Sequence, residues 1–375
     1  MRPLNIEICD VTLRDGEQTP GVSFTKEEKM EIAGMLDTVG VEVIEAGFPA
    51  VSEYEKQCVT AVKNMGIDAR ICCLARARQA DVTAAIDCGV DMVSIFIATS
   101  DLHIRHKYKK PREQVLAEAL TMVDYAGDHG VKVRFAAEDA SRTDPAFLKE
   151  VYRKGTEHGA AYLSFADTVG CLIPTEMYRI MSDLVASVDA PLCAHCHNDM
   201  GCAVANTLTA ADAGAFQLHT TVNGIGERAG NASLEELLVA LRIKKGIDRY
   251  DLSHLTKLSH LVEKISGIKL PRNKPVTGEL AFAHESGIHI AAILDDPLTY
   301  ENFPPDLVGG ERRFILGKHT GKKALEHVVA SLGCELTEKQ VCRVLGLVKD
   351  HSEHKCSITP EILKKIIRKV KTEKE

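Results

Sequence analysis

The 375-residue chain sets 46 Lys and Arg against 53 Asp and Glu, and its net charge of −7 argues against nucleic acid or an anionic membrane as partner. With 45% hydrophobic residues and no apolar run near the roughly 18 residues of a membrane span, it reads as a folded, non-membrane protein. Twelve cysteines in no regular framework, and an N-terminus without a charged-then-apolar leader pattern, point to a reducing, cytoplasmic setting.

In chain order, β-rich runs predict strands over residues 7–13, 41–48, 69–75, 91–98, 132–139, 160–167, 191–198 and 217–224. Helical patterns fall between them, as at 26–39, 112–129, 145–158 and 175–188. Thr25 and Asp144 stand where N-caps belong, and Gly40, Gly66, Gly89, Gly130 and Gly159 stand where C-cap glycines belong. Strand–helix units recurring at roughly 30-residue spacing are βαβ units, and eight of them predict an α/β fold with a closed (β/α)8 TIM barrel. An open doubly wound sheet fits the strand count less well. The rhythm is lost after residue 247. The expected organisation is a catalytic barrel over 1–247, a helical linker over 248–287, and a smaller, mainly helical C-terminal subdomain over 288–375 with two or three helices from 322 to 371.

Function in such a barrel gathers at the C-terminal ends of the strands. Those ends read Arg14 and Asp15, Glu45, Arg76, Thr99 and Ser100, Glu138 and Asp139, Asp167 and Thr168, His195 and His197, then Asn223. His195 and His197 are the sharpest local signal, because residues i and i+2 of a strand project to one face. Two buried imidazoles side by side require a shared hydrogen-bond network or a metal. Asp15 can add a carboxylate once the barrel closes, and three such ligands leave positions open for substrate. Cys193 and Cys196 have an odd spacing that puts the thiols on opposite faces, against a Cys-rich zinc site. Arg14 places a cation beside this cluster, with an ion pair to Glu17 or Glu45 as its plainer use. The run Gly224-Ile-Gly-Glu-Arg-Ala-Gly230 makes a loop over the site from which Asn231 can reach the metal.

Three motifs resemble one family. Asp10-Val-Thr-Leu-Arg-Asp-Gly-Glu-Gln18, His195-Cys-His-Asn-Asp199 and Asn223-Gly-Ile-Gly-Glu-Arg-Ala-Gly-Asn231 are similar to those of the acetyl-CoA-dependent 2-oxo acid condensing enzymes, the homocitrate, isopropylmalate and citramalate synthases. Leu316-Gly-Lys-His-Thr-Gly321 extends the likeness beyond the barrel. The resemblance implies that Asp15, His195 and His197 bind a divalent metal (zinc, manganese or magnesium), with Asn231 as a weaker fourth ligand. It implies that Arg14 stabilises a developing alkoxide and that Gln18 and Thr168 bind substrate, Thr168 through the C1 carboxylate. Glu138 matches the family's barrel carboxylate. His289 and Tyr300 match a pair that reaches a partner subunit's barrel to act on acetyl-CoA, so a homodimer with exchanged C-terminal parts is expected. Which of these groups takes the methyl proton stays open.

Arg134 matches the arginine that grips the distal carboxylate of 2-oxoglutarate in homocitrate synthases, and a pair with Glu138 or Asp139 is its plainer use. Ala136 departs from that branch, which has Ser there, and 47–50 and 98–103 look more like isopropylmalate synthases. The chain also stops at Glu375, without room for the further regulatory domain that isopropylmalate synthases commonly carry. The expectation is therefore homocitrate synthase, with isopropylmalate synthase as the nearest alternative and citramalate or citrate synthase behind it. An acyl-CoA lyase and a non-catalytic CoA- or metal-binding regulator are the readings from other classes.

Overall fold

The computed structural model describes residues 5–353 and 358–372. Contacts divide the chain into two units, Met1–Leu270 and Pro271–Glu375. Residues 248–270, read above as the start of a linker, lie in the first unit.

Eight parallel strands close into a barrel in chain order: β1 (Glu7–Asp10), β2 (Val43–Glu45), β3 (Arg70–Arg76), β4 (Met92–Ala98), β5 (Lys132–Glu138), β6 (Tyr162–Asp167), β7 (Leu192–Cys196) and β8 (Gln217–Thr220). The closing pair runs β1 against β8, from Glu7 opposite Gln217 to Asp10 opposite Thr220. A long helix follows each strand: α1 (Lys26–Val39), α2 (Glu53–Lys63), α3 (Gln79–Asp87), α4 (Arg112–Asp128), α5 (Pro145–Glu157), α6 (Pro174–Val185), α7 (Ala203–Asp212) and α8 (Leu234–Lys245). The TIM barrel expected from the sequence is the fold.

The local chemistry behind these elements is direct. Thr25 and Glu28 form a reciprocal capping box at the start of α1, and Gly40 ends it at φ 92, a left-handed turn that glycine adopts without strain. Asp144 caps α5 by accepting from the Phe147 N–H, with Pro145 in the first turn. Strands are shorter than their apolar runs where a loop claims the end. The last predicted strand stops at Thr220 because Asn223 takes a φ of 62. Inside the barrel, Cys9, Cys72 and Cys193 pack with Val11, Val43 and Met92 as small hydrophobes. Burial raises all three thiols, and none of the described cysteines is disulfide-bonded.

The second unit has a core of its own. Helices Lys322–Ser331, Glu338–Glu353 and Pro360–Thr372 pool an apolar stripe that includes Leu325, Val344, Val348, Leu363 and Ile367. Leu363, Ile367 and Val370 fall at i, i+4 and i+7, which is why this Lys-rich helix holds one face in the core. Among the described residues no helix is long and apolar enough to cross a membrane.

Candidate active site

The C-terminal ends of the strands surround a cavity of about 440 Å³, lined by Arg14, Asp15, Gln18, Arg134, Glu138, Thr168, His195 and His197 among others. Eight side chains singled out in the sequence thus share one space. A larger cleft of about 1100 Å³ lies in the second unit. The cluster of metal donors found among the described residues lies in the barrel cavity.

One corner of the cavity is built for a cation. Asp15, His195 and His197 each offer one donor atom, all within 4.8 Å of one another. His195 Nε2 lies 3.1 Å from His197 Nε2, and Asp15 Oδ2 lies 3.4 and 3.8 Å from the two nitrogens. All three residues are buried, yet Asp15 Oδ2 has no hydrogen-bond partner. Asn231 bridges to His197 through the backbone, and its buried Oδ1 is likewise unpartnered. Bare buried oxygens beside two imidazoles are costly unless a cation joins them, and the donor set fits a divalent metal. Burial alone would raise Asp15. The charge of Arg14 and the contacts with His195 and His197 outweigh it and hold the carboxyl well below its usual range. Burial, then the neighbouring His195, pushes His197 down to about 4, leaving it neutral at pH 7 as a metal ligand must be.

The loop after β8 delivers Asn231. Gly230 sits at φ 82 where a Cβ would lie 1.8 Å from the Gly224 carbonyl oxygen, so only glycine closes this turn. The Asn231 N–H donates to that carbonyl at 3.0 Å, and the Asn198 N–H donates to the Gly230 carbonyl at 2.9 Å. The loop is tied to itself and to the strand of the histidines.

The adjoining corner is organised by Glu45, which the sequence offered only as an ion-pair partner of Arg14. Glu45, fully buried, takes the Nε of Arg14 on one oxygen and the Nη2 of Arg134 on the other. Arg14 also contacts Asp15 Oδ1 at 3.0 Å and donates to Gln18 Oε1 at 3.2 Å. Of the two ion pairs weighed for Arg14, the one with Glu45 forms, while Glu17 binds the buried Lys29 at 2.7 Å. Arg134 pairs with neither Glu138 nor Asp139, a correction to that reading. Its Nε donates to Ser94 Oγ at 3.1 Å, and its Nη1 reaches Gln217 Oε1 at 3.0 Å and His219 Nε2 at 3.1 Å. One N–H of Nη2 is left over.

At the mouth, Glu138 holds Lys107 Nζ at 2.7 Å with both oxygens. Thr168 Oγ1 accepts from the Asp139 N–H at 2.8 Å, which leaves the hydroxyl proton to donate. The remaining polar strand ends serve the loops. Arg76 forks onto Asp81, Asp139 holds Arg142 at 2.8 Å, and Asp167 accepts the N–H groups of Cys171 and Leu172 at 3.1 Å. His289 and Tyr300 belong to the second unit, where their rings stack with centroids 4.0 Å apart. Sequence reasoning missed the cavity residues Ser94, His103, Lys107, His219 and Arg228. The basic run around Lys107 and the position of Arg228 in the 223–231 motif were the available signals.

Comparison with known proteins bears on the chain as a whole. Residues 5–262 match the family model described as HMGL-like, and residues 276–356 match homocitrate synthase post-HMGL domain-like. The chain is 55% identical to a protein named homocitrate synthase AksA from Methanosarcina acetivorans, over 100% of this chain and 93% of the relative. It is 51% identical to a probable 2-isopropylmalate synthase of Methanopyrus kandleri, over 93% of this chain and 70% of that one. Among solved structures, HMG-CoA lyase of Bacillus subtilis superposes with a TM-score of 0.65 at 21% identity, covering 72% of this chain and 96% of that one. At that identity the likeness is one of fold.

Proposed function

The chain belongs to the HMGL-like family, and from that premise we propose that it is an acetyl-CoA-dependent condensing enzyme acting on 2-oxoglutarate, a cytoplasmic homocitrate synthase. Asp15, His195 and His197, with Asn231 as fourth donor, would hold zinc, manganese or magnesium. Bound there, the ion would act as a Lewis acid on the keto group of the 2-oxo acid.

The chain's own residues supply the rest. Arg14, fixed between Glu45 and Asp15, faces the oxygen that gains negative charge during condensation. Thr168 donates its free hydroxyl proton to the C1 carboxylate. The remaining Nη2 N–H of Arg134 is the donor for a distal carboxylate. Acetyl-CoA must lose a methyl proton; the resulting enolate carbon attacks the keto carbon, and water hydrolyses the thioester to release CoA. The candidate bases are Glu138 in the cavity and His289 with Tyr300 stacked on it. The proposal includes a homodimer in which His289 and Tyr300 serve the partner's barrel. The exposure of Ile288 (78%) and Leu298 (74%) beside them supports a covered surface.

The remaining N–H of Arg134 carries the choice of substrate. Arg14 and Arg134 are offset by Asp15 and Glu45, Lys107 by Glu138 and Arg228 by Asp199, while Glu227 adds a negative charge to the lining. A divalent cation would therefore leave the cavity with one surplus positive charge for an anionic substrate. The competing reading, 2-isopropylmalate synthase, draws on a different observation: most of the Arg134 donors are already used, so a neutral branched tail meets little unpaired charge. Product analysis by mass spectrometry separates the two. Homocitrate from acetyl-CoA and 2-oxoglutarate is the expected product. Condensation with 2-oxoisovalerate alone would overturn the substrate assignment and keep the chemistry.

A further inference from the structure

Within the run 223–231, Arg228 is held at a φ of 56, in the left-handed region that residues with a side chain avoid. Gly226 and Gly230 on either side take positive φ without that cost. Strain of this kind persists only where the surroundings impose it, and the Arg228 side chain is tied at three points. Its Nε donates to Asp199 Oδ1 at 2.8 Å and its Nη2 to Asp199 Oδ2 at 2.9 Å, a fork onto one carboxylate. The second N–H of Nη2 donates to the Thr168 carbonyl at 2.7 Å. Nη1 lies 3.8 Å from Glu227 Oε2. One guanidinium on the loop after β8 thus joins the loops after β6 and β7.

Those two loops already lie against each other. A Cβ on Gly170, itself at φ 56, would stand 2.6 Å from Asp199 Oδ2 and 2.9 Å from the His197 carbonyl oxygen. An exposed Arg–carboxylate pair alone stabilises little, and what distinguishes this one is its third bond. Thr168 accepts the Asp139 N–H on its hydroxyl oxygen at 2.8 Å and Arg228 on its carbonyl, so its side chain and its peptide are both held. Thr168 and Arg228 line the same cavity. Asn231, three residues further on, has ties of its own: its N–H donates to the Gly224 carbonyl and its Nδ2 to the Ile225 carbonyl at 3.2 Å.

We propose that Arg228 is a positioning residue that aims the Thr168 hydroxyl at the C1 carboxylate of a 2-oxo acid, an assignment that rests on the reading of such an acid as substrate. Arg228 acts through the Thr168 peptide and the fork onto Asp199, and the carboxylate itself is met by Thr168.

The test is calorimetry of 2-oxo acid binding to the metal-loaded protein. Arg228→Asn tolerates the left-handed backbone, and Arg228→Lys keeps the charge but cannot make the planar fork. Each is made in the unaltered chain and again with Thr168→Val. Both Arg228 variants should raise the Kd of 2-oxoglutarate about tenfold, the worth of one hydrogen bond to a charged group. The same factor is expected for every 2-oxo acid the protein binds, because the C1 carboxylate is common to all. In the Thr168→Val background neither Arg228 substitution should weaken binding further, since the two residues act as a unit. Metal affinity, read by competition with a chelator, should be unchanged. Unaltered binding in either Arg228 variant, or a full further loss on top of Thr168→Val, overturns the assignment. A parallel loss of metal also overturns it, because the whole site has then loosened. If the protein binds another 2-oxo acid in place of 2-oxoglutarate, the substrate reading alone fails, and the role of Arg228 is decided on that acid. If it binds no 2-oxo acid, both fail.

Discussion

The two corners of the cavity differ in how their polar atoms are satisfied. At the metal corner, Asp15 Oδ2 and Asn231 Oδ1 are buried and bare. At the arginine corner, Glu45 lies between two guanidinium groups, and Ser94, Gln217 and His219 take further donors of Arg134. Buried polar groups without partners are costly, so a corner that keeps them is built to receive something from outside. A saturated corner holds its shape by itself and reads its ligand through the little that is left over. The metal assignment thus stands on vacant donor atoms, and the substrate assignment on a single remaining N–H and on charge.

The largest effects should come from the metal corner and from His289, one of the candidate bases. His195→Ala should lose both bound metal and turnover. His289→Ala should keep the metal, measured by elemental analysis, and lose about a thousandfold in kcat. If the sites are shared across a dimer, re-equilibrated mixtures of these two inactive variants should regain about a quarter of full activity through hybrids with one intact site. No recovery from mixing would confine each site to one chain.

The arginine corner should respond in stability as well as in selectivity. Arg134→Gln leaves Glu45 buried with one partner fewer and should destabilise the fold by about 3 kcal/mol, since breaking a buried pair costs about 3–5 kcal/mol. Adding Glu45→Gln should restore much of that stability in denaturant unfolding but none of the use of 2-oxoglutarate. Recovery of both together would mean that Arg134 acts only as the counterion of Glu45.

Behind both corners, burial raises Asp10 to about 7, against hydrogen bonds from Thr12 and Thr220 that pull it down. The folded protein then keeps a proton there that the unfolded chain has lost above about pH 4. This group's contribution makes stability fall as pH rises towards 7, by about 2 kcal/mol from pH 5 to 7, and flattens above. Asp10→Asn should remove that slope, as read from unfolding midpoints across the range; an unaltered slope would show Asp10 to be ionised throughout. Smallest of all, Asn231→Ala should weaken metal affinity about tenfold in competition with a chelator. Unchanged affinity would remove Asn231 from the ligand set.

The contrast between the corners also marks how far the sequence could be read. Asp15, His195 and His197 were legible because i, i+2 geometry on one strand and closure of β1 beside β8 need only the strand count. The caps Thr25, Asp144 and Gly40 were legible because they act within a few residues. Glu45 as the partner of Arg134 was not, since the two meet only through the barrel interior, 89 residues apart. Lys107 escaped notice for another reason: a π-helical turn leaves no mark in a 3.6-residue period, so its side chain could not be assigned to the cavity mouth. Arg14 showed the limit in miniature, with two candidate acids of which only packing selects Glu45 and sends Glu17 to Lys29.

The most direct measurement is acetyl-CoA-dependent release of free CoA thiol, with 2-oxoglutarate, 2-oxoisovalerate, pyruvate and oxaloacetate supplied in parallel, with and without a chelator. The expected result is preference for 2-oxoglutarate, abolished by chelation and restored by a divalent metal. Release that survives complete removal of metal, or none with any of the four acids, would contradict the account.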